Sequence, residues 1–334
     1  MDKVRIGLIG CGGIANYHVS HLLQMDDVAI VAVADPILER RESMAQKTGA
    51  ARLYQNHTEL YDAEKSSSLD AVYICIEPTA HTDTEIRAID KGWPFLVEKP
   101  MTLDLKQAED IASRVTAKGL LTHVGFQDRY LDVIDRLREE LPRHQTGIVY
   151  GAWVGGIPMV WWWLKKSTCG GQLLEQNIHQ LDLLRYFFGE PLSVYATASR
   201  GLIEPFEKDG VIYDTDDHST CVIRFENSVT ATLFSGCYAD YSITGFDHNG
   251  LTLITHDMTI EYRLRKSVSF ITGTETHCYK NQNDQGLTLD RTFIDAIKTG
   301  DGSRIRSPYP DAVKSLRLGL AANESMEKKM VIDL

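Results

Sequence analysis

The sequence predicts an α/β chain in two parts, an N-terminal doubly wound parallel sheet and a C-terminal α/β domain built on a large open, mainly antiparallel sheet. Three observations carry this. Short β-branched runs alternate with helical stretches over the first third of the chain, strand then follows strand, and a glycine-rich turn separates the first strand from the first helix. At 334 residues the chain exceeds what a single core ordinarily supports. The change of pattern puts the boundary at residue 122, giving domains 1–122 and 123–334.

In the first part Val4 to Ile9, Ala29 to Ala34, Ala71 to Ile76, Phe95 to Val97 and Leu120 to Gly125 read as strands. They are mostly apolar, as strands covered on both faces must be. Ile14 to Gln24, Leu38 to Lys47, Thr82 to Lys91 and Leu105 to Lys118 read as the intervening helices, with Gly49, Gly92 and Gly119 where a left-handed C-terminal residue is wanted. After a helix near Leu131 to Leu141, strands are expected at Gly147 to Val154, Val194 to Leu202, Ser219 to Phe225, Val229 to Tyr238, Leu251 to Thr255, Thr259 to Leu264 and Val268 to Thr272. Strands in direct succession imply hairpins and an antiparallel sheet.

Composition excludes several classes of function. A formal net charge of -11, with basic residues only in isolated pairs such as Lys165-Lys166 and Lys328-Lys329, speaks against a nucleic-acid partner. No apolar run is long enough to span a membrane, and Val4 to Ile9 is too short for a signal-peptide core, so the cytoplasm is the expected compartment. Cys11, Cys75, Cys169, Cys221, Cys237 and Cys278 are widely spaced without a C-x-x-C pair, so reduced thiols are expected and no metal site is.

Gly10-Cys11-Gly12-Gly13-Ile14-Ala15 fits G-x-G-x-x-A between a strand and a helix. Gly10 permits the tight turn, Gly12 lets the backbone approach a pyrophosphate, and the helix N-terminus faces the anion. Gly13 and Ile14 complete the loop. Asp35, at the end of the second strand, can accept hydrogen bonds from both ribose hydroxyls and would repel a 2′-phosphate, so NAD is preferred. Asp35 as a helix N-cap is the competing reading, and Arg40 and Arg41 keep NADP open. His18 and His21 on the following helix read as packing or surface residues.

Glu98-Lys99-Pro100 closes a strand at the carboxyl edge of the sheet, where open α/β folds bind ligands. An ammonium in a desolvated cleft there would hydrogen-bond a substrate hydroxyl and stabilise a developing alkoxide, whereas a surface lysine before a turn is the alternative. Gly170-Gly171 leads into a helical stretch on which Glu175, His179 and Asp182 fall at i, i+4 and i+7 and so share a face. A neutral imidazole suits removal of a hydroxyl proton, with Glu175 orienting it. A helix surface pair and a metal site are the other readings.

Taken together, Gly10 to Ala15, Glu98-Lys99-Pro100, Gly170-Gly171 leading to His179 and Asp182, and the tail Ala321-Ala322-Asn323-Glu324-Ser325 resemble the Gfo/Idh/MocA family over nearly the whole chain. The resemblance implies a Rossmann domain, a second domain whose open sheet forms the interface of a homo-oligomer (dimer or tetramer), and a catalytic pair of Lys99 and His179. It also implies that Pro78 and His81, with Glu98, neighbour the cofactor. The family's usual aspartate four residues before the histidine is Glu175 here. The implied reaction is hydride transfer between NAD(P) and a secondary alcohol or ketone of a sugar, inositol or related polyol.

Trp161-Trp162-Trp163 lies upstream of the glycines, where one or two of the rings, Trp162 and Trp163 foremost, are expected against a sugar face. Core or interface packing is the alternative. Tyr130 could stack likewise, and Arg129 and Lys165 could address hydroxyl or carboxylate groups. Two further functions compete, a non-catalytic NAD(P)-binding regulator of the same fold and an enzyme that cycles a tightly held NAD internally.

Overall fold

The computed structural model describes residues 3–239 and 241–334, which form two compact units. The first comprises Met1–Tyr130 and Asp284–Val313, the second Leu131–Asn283 and Lys314–Leu334. The sequence pattern suggested one boundary, at residue 122, but the chain crosses between units three times. A helix late in the sequence returns to the first unit, a long-range packing that local periodicity does not encode.

The first unit runs β1 (Val4–Ile9), α1 (Gly13–Leu22), β2 (Val28–Ala34), α2 (Leu38–Thr48), β3 (Arg52–Tyr54), α3 (His57–Ala63), β4 (Ala71–Ile74), α4 (Thr84–Lys91), β5 (Phe95–Val97), α5 (Leu105–Lys118) and β6 (Thr122–Val124). The strands form one six-stranded sheet in the order β3-β2-β1-β4-β5-β6, every pair parallel, which is the Rossmann arrangement. The strand order reverses between β1 and β4, so a crevice opens at their carboxyl ends. Ile6, Leu8, Tyr73, Ile74 and Leu96 are fully buried, as expected of a sheet covered on both faces. The short β3 and α3 were not legible in advance. Gly49, Gly92 and Gly119 each end a helix with positive φ, as read from the sequence.

In the second unit α6 (Asp132–Glu140) precedes β7 (Thr146–Val154), α7 (Lys166–Cys169), α8 (Gln172–Glu175), α9 (Ile178–Phe188) and β8 (Pro191–Ser199). Then come β9 (Glu207–Lys208), β10 (Val211–Ile212), β11 (His218–Phe225), β12 (Thr230–Gly236), α10 (Tyr241–Thr244), β13 (Gly250–Thr255), β14 (Thr259–Arg263), β15 (Ser267–Ile271) and β16 (Thr276–Lys280). The returning helix α11 (Gln285–Thr299) belongs to the first unit, α12 (Tyr309–Lys328) contributes to both, and β17 (Ile332–Asp333) closes the chain.

Nine strands form a sheet in the order β16-β15-β14-β13-β7-β12-β11-β8-β17, antiparallel throughout except for the parallel β7–β12 pair. Val149, Leu233, Cys221, Val194 and Leu253 point from one face into a core shared with Leu181, Leu184 and Leu318. On the alternate positions Ile148, Tyr150, Tyr195, Val222, Phe234 and Ile254 are exposed. Among the described residues no helix is long and apolar enough to cross a membrane.

Candidate functional site

The turn after β1 is built as a cradle. Gly10 has φ +89°, and a Cβ there would fall 2.2 Å from the Cys75 carbonyl oxygen, so only glycine fits. At Gly12 and Gly13 a Cβ would meet nothing within 4 Å, and α1 begins at Gly13 with no side-chain cap. Its first N–H groups and the positive end of its dipole therefore face open space, an arrangement that fits a pyrophosphate. Ile14 is half-buried and packs on the first-unit core.

Asp35 is 5% exposed and anchors this loop, Oδ2 accepting from the Cys11 N–H at 2.8 Å and Oδ1 from the Ile37 N–H at 2.8 Å. Its carboxylate thus ties the glycine turn to the end of β2, and Ile37 rather than Asp35 caps α2. Arg41 donates to the Asp35 and Pro36 carbonyls, which holds its guanidinium beside the same strand end. Burial, with the Asp35 charge adding to it, pushes the Cys11 thiol up to about 12, so that thiol stays protonated. The carboxylate and the cradle together fit NAD.

Pro78 opens a short 3₁₀ turn after β4 and is buried. His81 follows, 3% exposed, its Nδ1 2.5 Å from Glu85 Oε1, while Gln107 donates to its carbonyl. Both lie just beyond the carboxyl end of β4, in the sheet beside β5, which carries the next motif.

Glu98-Lys99-Pro100 follows β5 directly. Glu98 is buried, with Oε1 3.0 Å from His18 Nε2 and Oε2 accepting from the Lys99 N–H at 3.2 Å. A Cβ on Gly125 would lie 2.2 Å from Glu98 Oε1, so glycine there leaves room for the carboxylate. Lys99 is half-buried. His18 Nδ1 is 2.8 Å from Asp290 Oδ1, and His21 Nδ1 is 2.7 Å from Asp290 Oδ2.

The sequence treated His18 and His21 as packing or surface residues; both are buried and joined through Asp290 of α11. Ligand atoms of His18, His21 and Asp290 lie within 4.8 Å of one another, close enough for a metal. The ring nitrogens facing Asp290 and both of its oxygens are already in short hydrogen bonds, so the cluster is complete as a charge network.

In the second unit the glycine-led stretch is not one helix. α8 ends at Glu175 and α9 begins at Ile178, with Gln176 and Asn177 between them. The expected i, i+4, i+7 face is therefore broken, because buried amides bend the segment onto the sheet. Gln172 donates to the Gly236 carbonyl at 2.7 Å, Asn177 to Ser235 Oγ at 2.7 Å, and Gln180 to the Ala152 carbonyl at 2.8 Å. Each bond to a buried carbonyl contributes on the order of 1 kcal/mol and sets the register of the segment.

That register lays the His179 ring, 4% exposed, against Trp153 of β7, with centroids 5.9 Å apart and planes 20° from parallel. Arg265, at φ +57° in the β14–β15 turn, holds its guanidinium 5.5 Å from the same indole. Trp153 and Arg265 were missed, and only the pairing of the second sheet could have disclosed them. Glu175 accepts from the Trp163 indole N–H at 3.0 Å. Asp182 accepts from Ser315 of α12 at 2.6 Å, and Arg185 donates to that same hydroxyl.

The remaining expected binders are placed variously. Trp163 is 1% exposed, packed with Leu164, Cys169, Tyr213 and Cys237, so it offers no open ring face and acts through its bond to Glu175. Trp162 is half-buried, while Trp161 and Lys165 are exposed. Arg129 is buried in an ion pair with Asp311 at 2.7 Å. Tyr130 is buried beneath the Arg306 guanidinium and bonded to His123 at 2.8 Å. Arg129 and Tyr130 are both held in the packing of the first unit.

Comparison with known proteins gives concordant matches. Residues 4–126 match the family described as "Oxidoreductase family, NAD-binding Rossmann fold", and residues 143–254 match the "GFO/IDH/MocA C-terminal domain". Myo-inositol 2-dehydrogenase of Thermotoga maritima is 24% identical, covering 99% of this chain and 98% of its own. Inositol 2-dehydrogenase of Rhizobium meliloti is 30% identical over 64% of this chain and 63% of its own. Among solved structures, a levoglucosan dehydrogenase in complex with NADH and levoglucosan superposes with a TM-score of 0.86, covering 99% of each chain at 18% identity.

Proposed function

The chain belongs to the Gfo/Idh/MocA oxidoreductase family, and from that membership we propose that it is an NAD-dependent dehydrogenase of a secondary alcohol on a sugar, inositol or related polyol. The observation that carries the reading is His179, a buried imidazole stacked on Trp153 in a segment whose register is fixed by buried amides.

The NAD would be held by the Gly10–Gly13 turn and the α1 N-terminus at its pyrophosphate, by Asp35 at a ribose, and by the Pro78–His81 turn and Glu98 beside the nicotinamide. When bound, it supplies the acceptor for the carbinol hydride. His179 takes the hydroxyl proton as the carbon–hydrogen bond breaks, so the products are the ketone and a protonated imidazole that returns its proton to water. Lys99 donates a hydrogen bond to the same oxygen and stabilises its developing negative charge. Glu175, fixed by Trp163, lies on the stretch leading to His179 and is the residue assigned to orient that imidazole. Trp162, half-buried, and Trp161, exposed, are the rings of the tryptophan run open enough to meet a sugar face.

A panel of inositols, hexoses and sugar acids, with NAD and the absorbance of reduced nicotinamide as readout, tests this. Turnover with at least one polyol is expected. NAD binding without turnover across the panel would instead favour the non-catalytic regulator. The exposed apolar row Ile148, Tyr150, Tyr195, Val222, Phe234 and Ile254 supports a homo-oligomer formed through the large sheet. Light scattering on Tyr150→Lys/Phe234→Lys should then return a monomer, and an unchanged mass would remove that face from assembly.

A further inference from the structure

We infer that His18, clamped between Glu98 and Asp290, is a positioning residue that fixes the strand end from which Lys99 acts, a role that rests on the assignment of Lys99 proposed above. Both Glu98 oxygens are engaged, Oε1 with His18 Nε2 at 3.0 Å and Oε2 with the Lys99 N–H at 3.2 Å. The side chain therefore acts as a strut between α1 and the backbone that carries the lysine. A strut of this kind is only as firm as its far end, and His18 is held there from behind by Asp290 at 2.8 Å.

Asp290 in turn spans His18 and His21, one turn apart on α1. The helices meet closely enough for this because position 286 is glycine. A Cβ there would lie 2.1 Å from Tyr17 Oη and 2.5 Å from His21 Cε1.

The charge state follows from the neighbours. The groups facing His18 are Asp290 from α11, Glu98 from the end of β5, Tyr73 from β4, His123 from β6, and Tyr17 and His21 on α1. Burial alone would push the His18 imidazole down, but the Asp290 charge and the hydrogen bonds to Asp290 and Glu98 carry it up to about 10. Burial likewise works to raise Asp290, and the His18 and His21 partners bring it below the ordinary aspartate value. His123, desolvated and facing that cation, is pushed down to about 3 and stays neutral. A protonated His18 therefore bridges the Asp290 and Glu98 carboxyl groups, 2.8 and 3.0 Å away, and Asp290 is the larger of the two influences that hold the proton there.

Three full-length variants test the inference. His18→Gln keeps a donor and removes the charge. Asp290→Asn keeps the shape and removes the anion that holds His18 protonated. Gly125→Ala displaces the Glu98 carboxylate sterically without altering any charge. Each should lower kcat about tenfold or more, and in His18→Gln and Asp290→Asn, which leave the Glu98 carboxylate its place, the NAD dissociation constant should stay within about twofold, a separation that a general loss of structure would not give.

The pH profile isolates the charge. In Asp290→Asn the alkaline limb of kcat should move at least one pH unit toward neutrality, because His18 then loses its proton sooner, and in Gly125→Ala it should move the same way but by less, since Glu98 contributes less than Asp290 to holding that proton. Nitrogen NMR of the imidazoles should show a protonated His18 at pH 8 in the wild type and a neutral one in Asp290→Asn. A neutral wild-type ring, or superimposable pH profiles, would overturn the inference.

Reaction of the Lys99 amine with trinitrobenzenesulfonate, followed by peptide mass spectrometry, separates the two claims. A wild type inert toward every polyol would end the catalytic reading, while Lys99 labelling altered at least threefold by His18→Gln would still support the positioning role. Unaltered labelling would refute it.

Discussion

Gly10 and Gly12 belong to one motif, yet the structure predicts opposite consequences for the same substitution. At position 10 an alanine Cβ would stand 2.2 Å from a backbone carbonyl oxygen at φ +89°. The left-handed conformation costs an L-residue about 1–2 kcal/mol, and backbone displacement adds to that. A total near 2–3 kcal/mol should lower the melting temperature by about 5–10 °C, on a scale of about 2–4 °C per kcal/mol for units of this size.

At position 12 φ is -78°, compatible with any residue, and the new methyl meets no protein atom within 4 Å. Gly12→Ala should therefore leave the NAD-free protein as stable as the wild type, or more stable by about 0.5 kcal/mol through the restricted unfolded chain. Its effect falls on NAD, since a methyl over the α1 N-terminus separates the pyrophosphate from the backbone N–H groups. Loss of one charge-assisted hydrogen bond, about 1.5–3 kcal/mol, corresponds to about 10–100-fold in affinity. Differential scanning fluorimetry and calorimetric titration with NAD read the two effects separately. Wild-type NAD affinity in Gly12→Ala, or an unshifted melting temperature in Gly10→Ala, would refute the reasoning.

Asp35→Ser should lower NAD affinity at least tenfold and narrow the gap between NAD and NADP, read as kcat/KM with each cofactor; it should also cost about 1–2 kcal/mol, because the Cys11 and Ile37 N–H groups lose their acceptor. Trp153→Leu removes the stacking surface of His179 and is expected to lower kcat about tenfold at unchanged NAD affinity in stopped-flow turnover. Because the folded state raises the His18 pKa to about 10, its contribution to stability is full below pH ~6.5 and is lost as pH rises toward 10. Melting temperature should accordingly fall over that window in the wild type and fall less in His18→Gln. Parallel curves would contradict the charge assignment.

The cofactor half of the site was legible because its signals are local. An apolar run, a glycine turn and an acid at the next strand end are contiguous in sequence, and sheet topology then brings them to one edge. The E-K-P and histidine positions were singled out only through resemblance, since nothing in their local spacing separates a working lysine from a surface one.

What stayed hidden is non-local. Asp290 lies 272 residues from His18, and their contact depends on α11 returning to pack on α1. Helical spacing put Glu175 and His179 on one face, but the backbone breaks at Gln176 and Asn177, in a segment tied to the sheet by the Gln172 amide at the Gly236 carbonyl and the Asn177 amide at the Ser235 hydroxyl, so tertiary bonds override the periodicity. Trp153 reads as one more strand residue until the pairing of β7 with β12 and β13 turns it toward the helices. Arg129 and Tyr130 follow β6 and looked available in sequence, yet both are buried in the packing of the first unit.

The most direct test of the account is single-turnover kinetics with a polyol deuterated at the reacting carbon, comparing the wild type with His179→Ala from pH 5 to 10. Deuterium transfer to nicotinamide is expected in the wild type, and in the variant a rate lower by a factor of about 10² to 10⁴ at unchanged NAD affinity. A variant that transfers deuterium at the wild-type rate would contradict it.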